Sequence, residues 1–187
     1  MSGGHPLILA SRSAQRRAIL KQLGIEFSVR VPEVEELVEG PPHEVAVENA
    51  YRKAAAIDVS EALVLGVDTV VSLGRRIYGK PEDEEDARQT LRALSGRRHT
   101  VISGVCLIED GRARTAAAET AVEIRRLDAE LLDWYLATGE WRERAGGYAI
   151  QARGAALVER IEGDYLNVVG LPVPTLLELA PGLVPGA

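Results

Sequence analysis

Cysteine is almost missing from this chain: of 187 residues, only Cys106 carries a thiol. No disulfide framework can form within one chain, and Cys106 lies in the apolar run 101–108, the setting of a buried small hydrophobe. Such sparing use of cysteine suits a reducing, cytoplasmic location. Long apolar runs are also missing, and Leu7 to Ala10 is too short for a signal peptide or a membrane span. Positive charge is not in excess: a net charge of −6 argues against non-specific binding to nucleic acid or membrane. A polyanionic substrate would therefore need a local basic cluster. Lysine is scarce, since arginine supplies 19 of the 22 cations and only Lys21, Lys53 and Lys80 remain. Those lysines are either composition drift or places where a compact point charge suits a phosphate. Repeats, low-complexity segments and an internal linker are absent as well. A hydrophobic content of 46% is enough for a real core, so 1–187 reads as a single domain with its core at about 6–180.

What is present centres on LVLGVDTVVSLGRRIYGKP, residues 63–81. Branched apolar residues from Leu63 to Val71 predict a strand that Asp68 interrupts. Leu73 to Arg76 turn the chain, and Ile77-Tyr78 return antiparallel to a tight Gly79-Lys80-Pro81 loop. The return brings Lys80 back towards Asp68. The two are either a carboxylate and an ammonium meeting at one mouth of a sheet, or a buried pair or solvated residues with no chemistry.

Upstream, Pro6 to Ala10 predicts a strand, then Ser11-Arg12-Ser13 leads into a helix with Ile19, Leu20 and Leu23 on one side. Ser11 or Ser13 can cap it, and Gly24 suits the left-handed position past its end. Arg16 and Arg17 stand in the first turn, where cations oppose the helix dipole. They mark an anion site at the helix N-terminus, or a solvated pair that the helix tolerates. Residues 27–31 predict a short strand, and Glu33, Glu35 and Glu36 crowd one loop, as a hard-cation site or a solvated acidic run. A helix is expected at about 43–59 with Val47, Ala50, Tyr51, Ala54 and Ile57 as its stripe. Lys53 sits at the margin of that stripe, either snorkelling to water or pointing into a cleft.

Downstream, acids at 82–86 open a helix through Leu94, and 97–108 is a strand joined by Glu109-Asp110-Gly111 to a return strand at about 114–126. His99 is either a general base or a hydrogen-bonding residue at a strand end. Asp128 caps a helix through Ala137. Gly146-Gly147 permit unusual dihedrals, and Gln151 ends a short strand-like piece. Strands are expected at 155–161 and 167–170, then a last helix around Leu176 and a frayed tail after Pro181. This order predicts an α/β fold on a mixed sheet.

The strings LASRSAQRRAILKQLGI, PEVEE, GVDTVVSLGRRIYGKPEDEEDARQTLRALSGRRHTVISGV and AGGYAIQARGAALVERIEGDYLNVVGLP together resemble the Maf family of nucleoside triphosphate pyrophosphatases, over nearly the whole chain and in family order. The resemblance implies an elongated α/β protein with flanking helices and a nucleotide-binding cleft across a mixed central sheet, similar to the inosine triphosphate pyrophosphatases and usually a homodimer. It implies hydrolysis between the α and β phosphates with a divalent cation, Mg²⁺ or Mn²⁺. Position by position, Asp68 looks like the proton acceptor for water, and Ser11, Arg16, Lys53 and Lys80 look like the polar groups around the triphosphate. Glu36 looks like a catalytic or metal-site carboxylate, with Asp68 as its fellow ligand. Members that look specific for dTTP and UTP read Ser-Pro-Arg-Arg after the first strand. Here Gln15 replaces one of those arginines, whereas Thr69 and Gln151 match the pyrimidine-type pattern. The resemblance also leaves open a nucleotide-binding regulator of septum formation without turnover. An acidic protein-interaction module is the remaining class.

Overall fold

The computed structural model describes residues 5–184. Its spine is β3, Leu63–Leu73, an eleven-residue strand in a seven-stranded mixed sheet. Alternation sorts its side chains. Leu63, Leu65 and Val67 join Ile19, Leu20 and Leu176 on one face, while Val64 and Val70 pack on the other beneath α2, Pro42–Ala55. Asp68 shares the parity of Val64 and Val70 and so faces α2; Thr69 faces the opposite way.

One edge of β3 is fully occupied by antiparallel β5, Arg98–Glu109, from Leu63 to Ser72. The other edge is shared. Parallel β1, Leu7–Ala10, pairs only as far as Ala10 opposite Gly66, and antiparallel β4, Arg76–Tyr78, begins opposite Val71. Between them the ladder on that edge is interrupted at 67–70, the segment that carries Asp68 and Thr69. Groups from both faces of the sheet can meet through this gap. The remaining order runs from β2, Phe27–Val29, beside β1, to β6, Arg112–Ile124, and β7, Val158–Glu162, beyond β5.

Helix α1, Ala14–Gln22, starts on Ser13, whose Oγ accepts the Arg16 N–H at 3.4 Å, and Gly24 follows at φ +68°. Helices α3, Glu84–Leu94, and α4, Ala129–Ala137, are capped by Asp83 and Asp128. Asp110 and Gly111 both take positive φ in the β5–β6 turn, as an Asp-Gly hairpin requires. Cys106 is buried, and burial raises its thiol to about 11, as fits an inert packing residue. Among the described residues no helix is long and apolar enough to cross a membrane.

Several local expectations are corrected. Helix α2 ends at Ala55, and its buried face runs through Val45, Ala46, Asn49, Ala50, Lys53 and Ala54, leaving Tyr51 exposed. Residues 148–151 form no strand, and Arg153–Leu157 is a 3₁₀ turn before β7. The strand expected at 167–170 is helix α5, Tyr165–Val169. Asp164 caps it, and Asn167 Nδ2 donates to Val101 O at 3.1 Å and Thr120 Oγ1 at 3.0 Å. These tertiary bonds override the strand preference of Val168-Val169. A final helix, α6, Val173–Leu179, leads to a 3₁₀ turn at Pro181–Leu183, where Leu183 and Val184 pack on the core rather than fray. Residues 185–187 of that tail lie outside the described residues.

Candidate active site

Arg16 explains why an arginine stands at the wrong end of a helix dipole. It is buried, and its Nε donates to Gly170 O at 2.8 Å, Nη1 to Ser11 Oγ at 3.1 Å and Nη2 to Thr69 Oγ1 at 3.1 Å. Three of five guanidinium N–H donors are thereby committed, and two remain for an anion. Burial lowers the Arg16 pKa from its ordinary value, opposed by the charges of Asp68 and Glu36. The guanidinium remains a cation at neutral pH. Arg17, by contrast, makes no such contacts among the described residues. Thr69 is oriented in turn by Ser103, with the two hydroxyls 2.8 Å apart.

On the other side of the gap, α2 lowers two polar side chains onto Asp68. Its close approach depends on glycine: a Cβ at Gly66 would lie 2.1 Å from Ala50 O, and one at Gly104 would lie 2.2 Å from Ala46 O. With Ala46, Ala50 and Ala54 against them, the helix sits low enough for Asn49 and Lys53 to reach the strand. Lys53, 8% exposed, donates from Nζ to Asp68 Oδ1 at 2.5 Å and lies 3.0 Å from Glu36 Oε1. Asp68, itself 6% exposed, accepts from Asn49 Nδ2 through Oδ2 at 3.1 Å. Two carboxylates from different segments therefore converge on one ammonium.

The ammonium that meets Asp68 is thus Lys53, and the expected Asp68–Lys80 pairing is corrected. Strand β4 stops at Tyr78, so the ladder does not carry Lys80 across to Asp68. Lys80 is half exposed and its Nζ lies 3.5 Å from Glu143 Oε2. Its loop is held instead by Gly146, whose N–H donates to Gly79 O at 3.0 Å. Gly146 has φ +70°, and a Cβ there would meet the Val71 side chain at 2.9 Å. Gln15 accepts from Ser13 Oγ at 3.2 Å beside the Arg16 turn, and Gln151 is exposed in a turn after Ile150.

Asn49 was absent from the residues singled out in the sequence, although it lies one turn before Lys53 on the same helical face. A polar residue in step with a buried stripe, opposite an acid on a strand, was the available signal. Gly66 and Gly104 were missed too; a glycine inside a long strand signals a close backbone approach.

Asp68 and Glu36 offer oxygen donors that fit a hard divalent cation. No group of three or more candidate ligands gathers among the described residues. Magnesium sites built from one or two carboxylates and substrate phosphates have this sparse protein contribution.

His99 takes the strand-end role. Its Nε2 is 2.8 Å from Tyr148 Oη, an edge-on contact that ties the 146–150 segment to β5. Burial lowers its pKa from 6.5 to about 4. As pH falls, the unfolded chain therefore takes up this proton before the folded one. Stability is full above about pH 6.5, falls as pH drops towards 4 and loses nothing further from this group below that, about 3 kcal/mol in all. Urea midpoints at pH 7 and pH 4.5 should therefore differ more for the wild type than for His99→Gln; equal differences would contradict this account.

A family model described as Maf-like protein matches residues 6–182. A dTTP/UTP pyrophosphatase of Pyrococcus furiosus is 43% identical over 177 residues, covering 92% of this chain and 93% of its own. Similar proteins of the same name occur in Gloeobacter violaceus, at 45% identity with 92% and 93% covered, and in Symbiobacterium thermophilum, at 44% with 92% and 91% covered.

Proposed function

The chain belongs to the Maf-like protein family, and from that premise we propose that it is a nucleoside triphosphate pyrophosphatase, acting on pyrimidine nucleotides of the dTTP and UTP kind. The observation that carries the reading is Lys53 held between Asp68 and Glu36 at the gap in the sheet, with Arg16 entering from the other face. Water adds to the α-phosphorus, the bond to the β-bridging oxygen breaks, and the products are the nucleoside monophosphate and pyrophosphate. Asp68 accepts the proton of the attacking water. Arg16, with two N–H groups to spare, Lys53 and Lys80 hold the phosphates and offset the charge that develops on the leaving pyrophosphate. Ser11 keeps Arg16 aimed. A divalent cation, held by Asp68 and Glu36 when bound, would supply further charge neutralisation at the phosphates.

In this reading Lys80 exchanges Glu143 for phosphate, which its half-exposed, long ion pair permits. Thr69 and Gln151 select the base, as does Gln15 in place of an arginine; the names of the similar proteins support a pyrimidine. Residues 1–187 act as one catalytic domain, working as a cytoplasmic homodimer. A regulator that binds nucleotide without turnover would have no use for Asp68, a carboxylate set among cations that bind phosphate.

The test is a panel of ordinary and modified nucleoside triphosphates with Mg²⁺ or Mn²⁺, scored for pyrophosphate against orthophosphate. The wild type should release pyrophosphate, fastest from UTP and dTTP, and Asp68→Asn should lose on the order of a hundredfold in rate. Faster turnover of purines would sink the pyrimidine assignment, and orthophosphate as sole product would sink the cleavage site.

A further inference from the structure

We propose that Asn49 is a positioning residue that sets both carboxylates of the site from one buried amide, an inference that rests on the pyrophosphatase reading. Asn49 is 1% exposed. Its Oδ1 accepts the Leu37 N–H at 2.7 Å, and its Nδ2 donates to Leu37 O at 2.9 Å. The amide thus grips both backbone groups of the residue that follows Glu36. The second hydrogen on Nδ2 goes to Asp68 Oδ2 at 3.1 Å.

These bonds close a circuit. Asp68 Oδ1 accepts from Lys53, Lys53 reaches Glu36, and the chain passes from Glu36 to Leu37 and back to Asn49. Only an amide meets the demand, because the site needs two donors and one acceptor on one short side chain. The reverse orientation would aim a carbonyl oxygen at the Asp68 carboxylate. The segment 30–41 has no regular secondary structure, so anchors from α2 decide where Glu36 lies. Lys53 holds the Glu36 side chain, and Arg52 Nη1 donates to Glu35 O at 3.4 Å. Asn49 is the buried contact to the backbone of this segment. With its donors and acceptor engaged, it acts through Asp68 and Glu36 and does not itself touch substrate.

Two measurements test this. Backbone hydrogen exchange on the wild type should show the Leu37 amide at least about tenfold slower than the exposed amides around it, and this protection should vanish in Asn49→Leu. Steady-state kinetics should show kcat about a hundredfold lower in Asn49→Leu with KM changed by less than about threefold, since Arg16 and Lys80 are untouched. Asn49→Asp, which keeps an acceptor for Leu37 but loses both donors and places a second carboxylate beside Asp68, should lose kcat while retaining part of the Leu37 protection. Should the leucine variant fail to fold, the aspartate variant and the wild-type exchange still decide. Leu37 exchanging as fast as its neighbours in the wild type overturns the proposal. So does a folded variant with wild-type kcat, or a kcat loss that merely tracks the unfolded fraction. A wild type that releases no pyrophosphate from any nucleotide, with Leu37 protected, overturns the reading of function and upholds the anchor.

Discussion

Replacing Lys53 with methionine is expected to lower kcat/KM by about a thousandfold and folding stability by about 3–5 kcal/mol. Both effects come from one fact: the ammonium is buried between Asp68 and Glu36, at 2.5 and 3.0 Å. Methionine keeps the apolar stem as far as Cε and removes the ammonium with its charge and its N–H donors. Asp68 then stays buried as an anion with Asn49 as its sole donor among the described residues. A buried charge stripped of its partner is far costlier than the intact pair was stabilising. Catalysis suffers separately, because a cation at a fixed position on the phosphates is lost. The double variant Lys53→Met/Asp68→Asn divides the two effects: it should regain most of the stability and none of the activity. A single variant that melts like the wild type and keeps its rate would show that the pair is neither buried nor used.

The sequence made this site half visible, because local pattern states turns and caps but not how a helix seats on a sheet. Features set by neighbouring residues were readable: a helix start at Ser11 or Ser13, the acids 82–86 that open α3, the Asp128 cap, the Asp110-Gly111 turn, the long strand around Asp68 and the hairpin behind it. Arg16 was readable as an anomaly, and its burial against Ser11, Thr69 and Gly170 gives the anomaly its cause. The partnership of Asp68 was not readable. Hairpin arithmetic pointed to Lys80, 12 residues on, whereas the real partner, 15 residues back, hangs from a helix that packs across the sheet. No local pattern states that β1 stops opposite Gly66 and β4 starts opposite Val71, so the opening that admits both faces of the sheet emerges only from register. Helix α5 was misread for a similar reason, since Asn167 is bound to β5 and β6, 66 and 47 residues away in sequence.

The packing that brings Lys53 and Asn49 to Asp68 can itself be broken by one methyl group. Gly104 pairs with Asp68 across β3 and β5, directly beneath α2. An added Cβ would lie 2.2 Å from Ala46 O, 2.4 Å from Ala46 C and 2.6 Å from Val47 N. These are helix backbone atoms, not the end of a flexible side chain, so α2 must lift as a body. Gly104→Ala should therefore cost about 3 kcal/mol and lower the melting temperature by roughly 6–12 °C. It should also reduce kcat by more than about a hundredfold, since both α2 side chains move away from Asp68 together. Adding Ala46→Gly should rescue neither loss, because the collision is with the Ala46 carbonyl and not with its methyl group. Rescue by that second substitution would place the contact at the side chain and contradict the backbone seating of α2. A Gly104→Ala protein with unchanged melting and rate would mean that the helix does not rest on the strand at all.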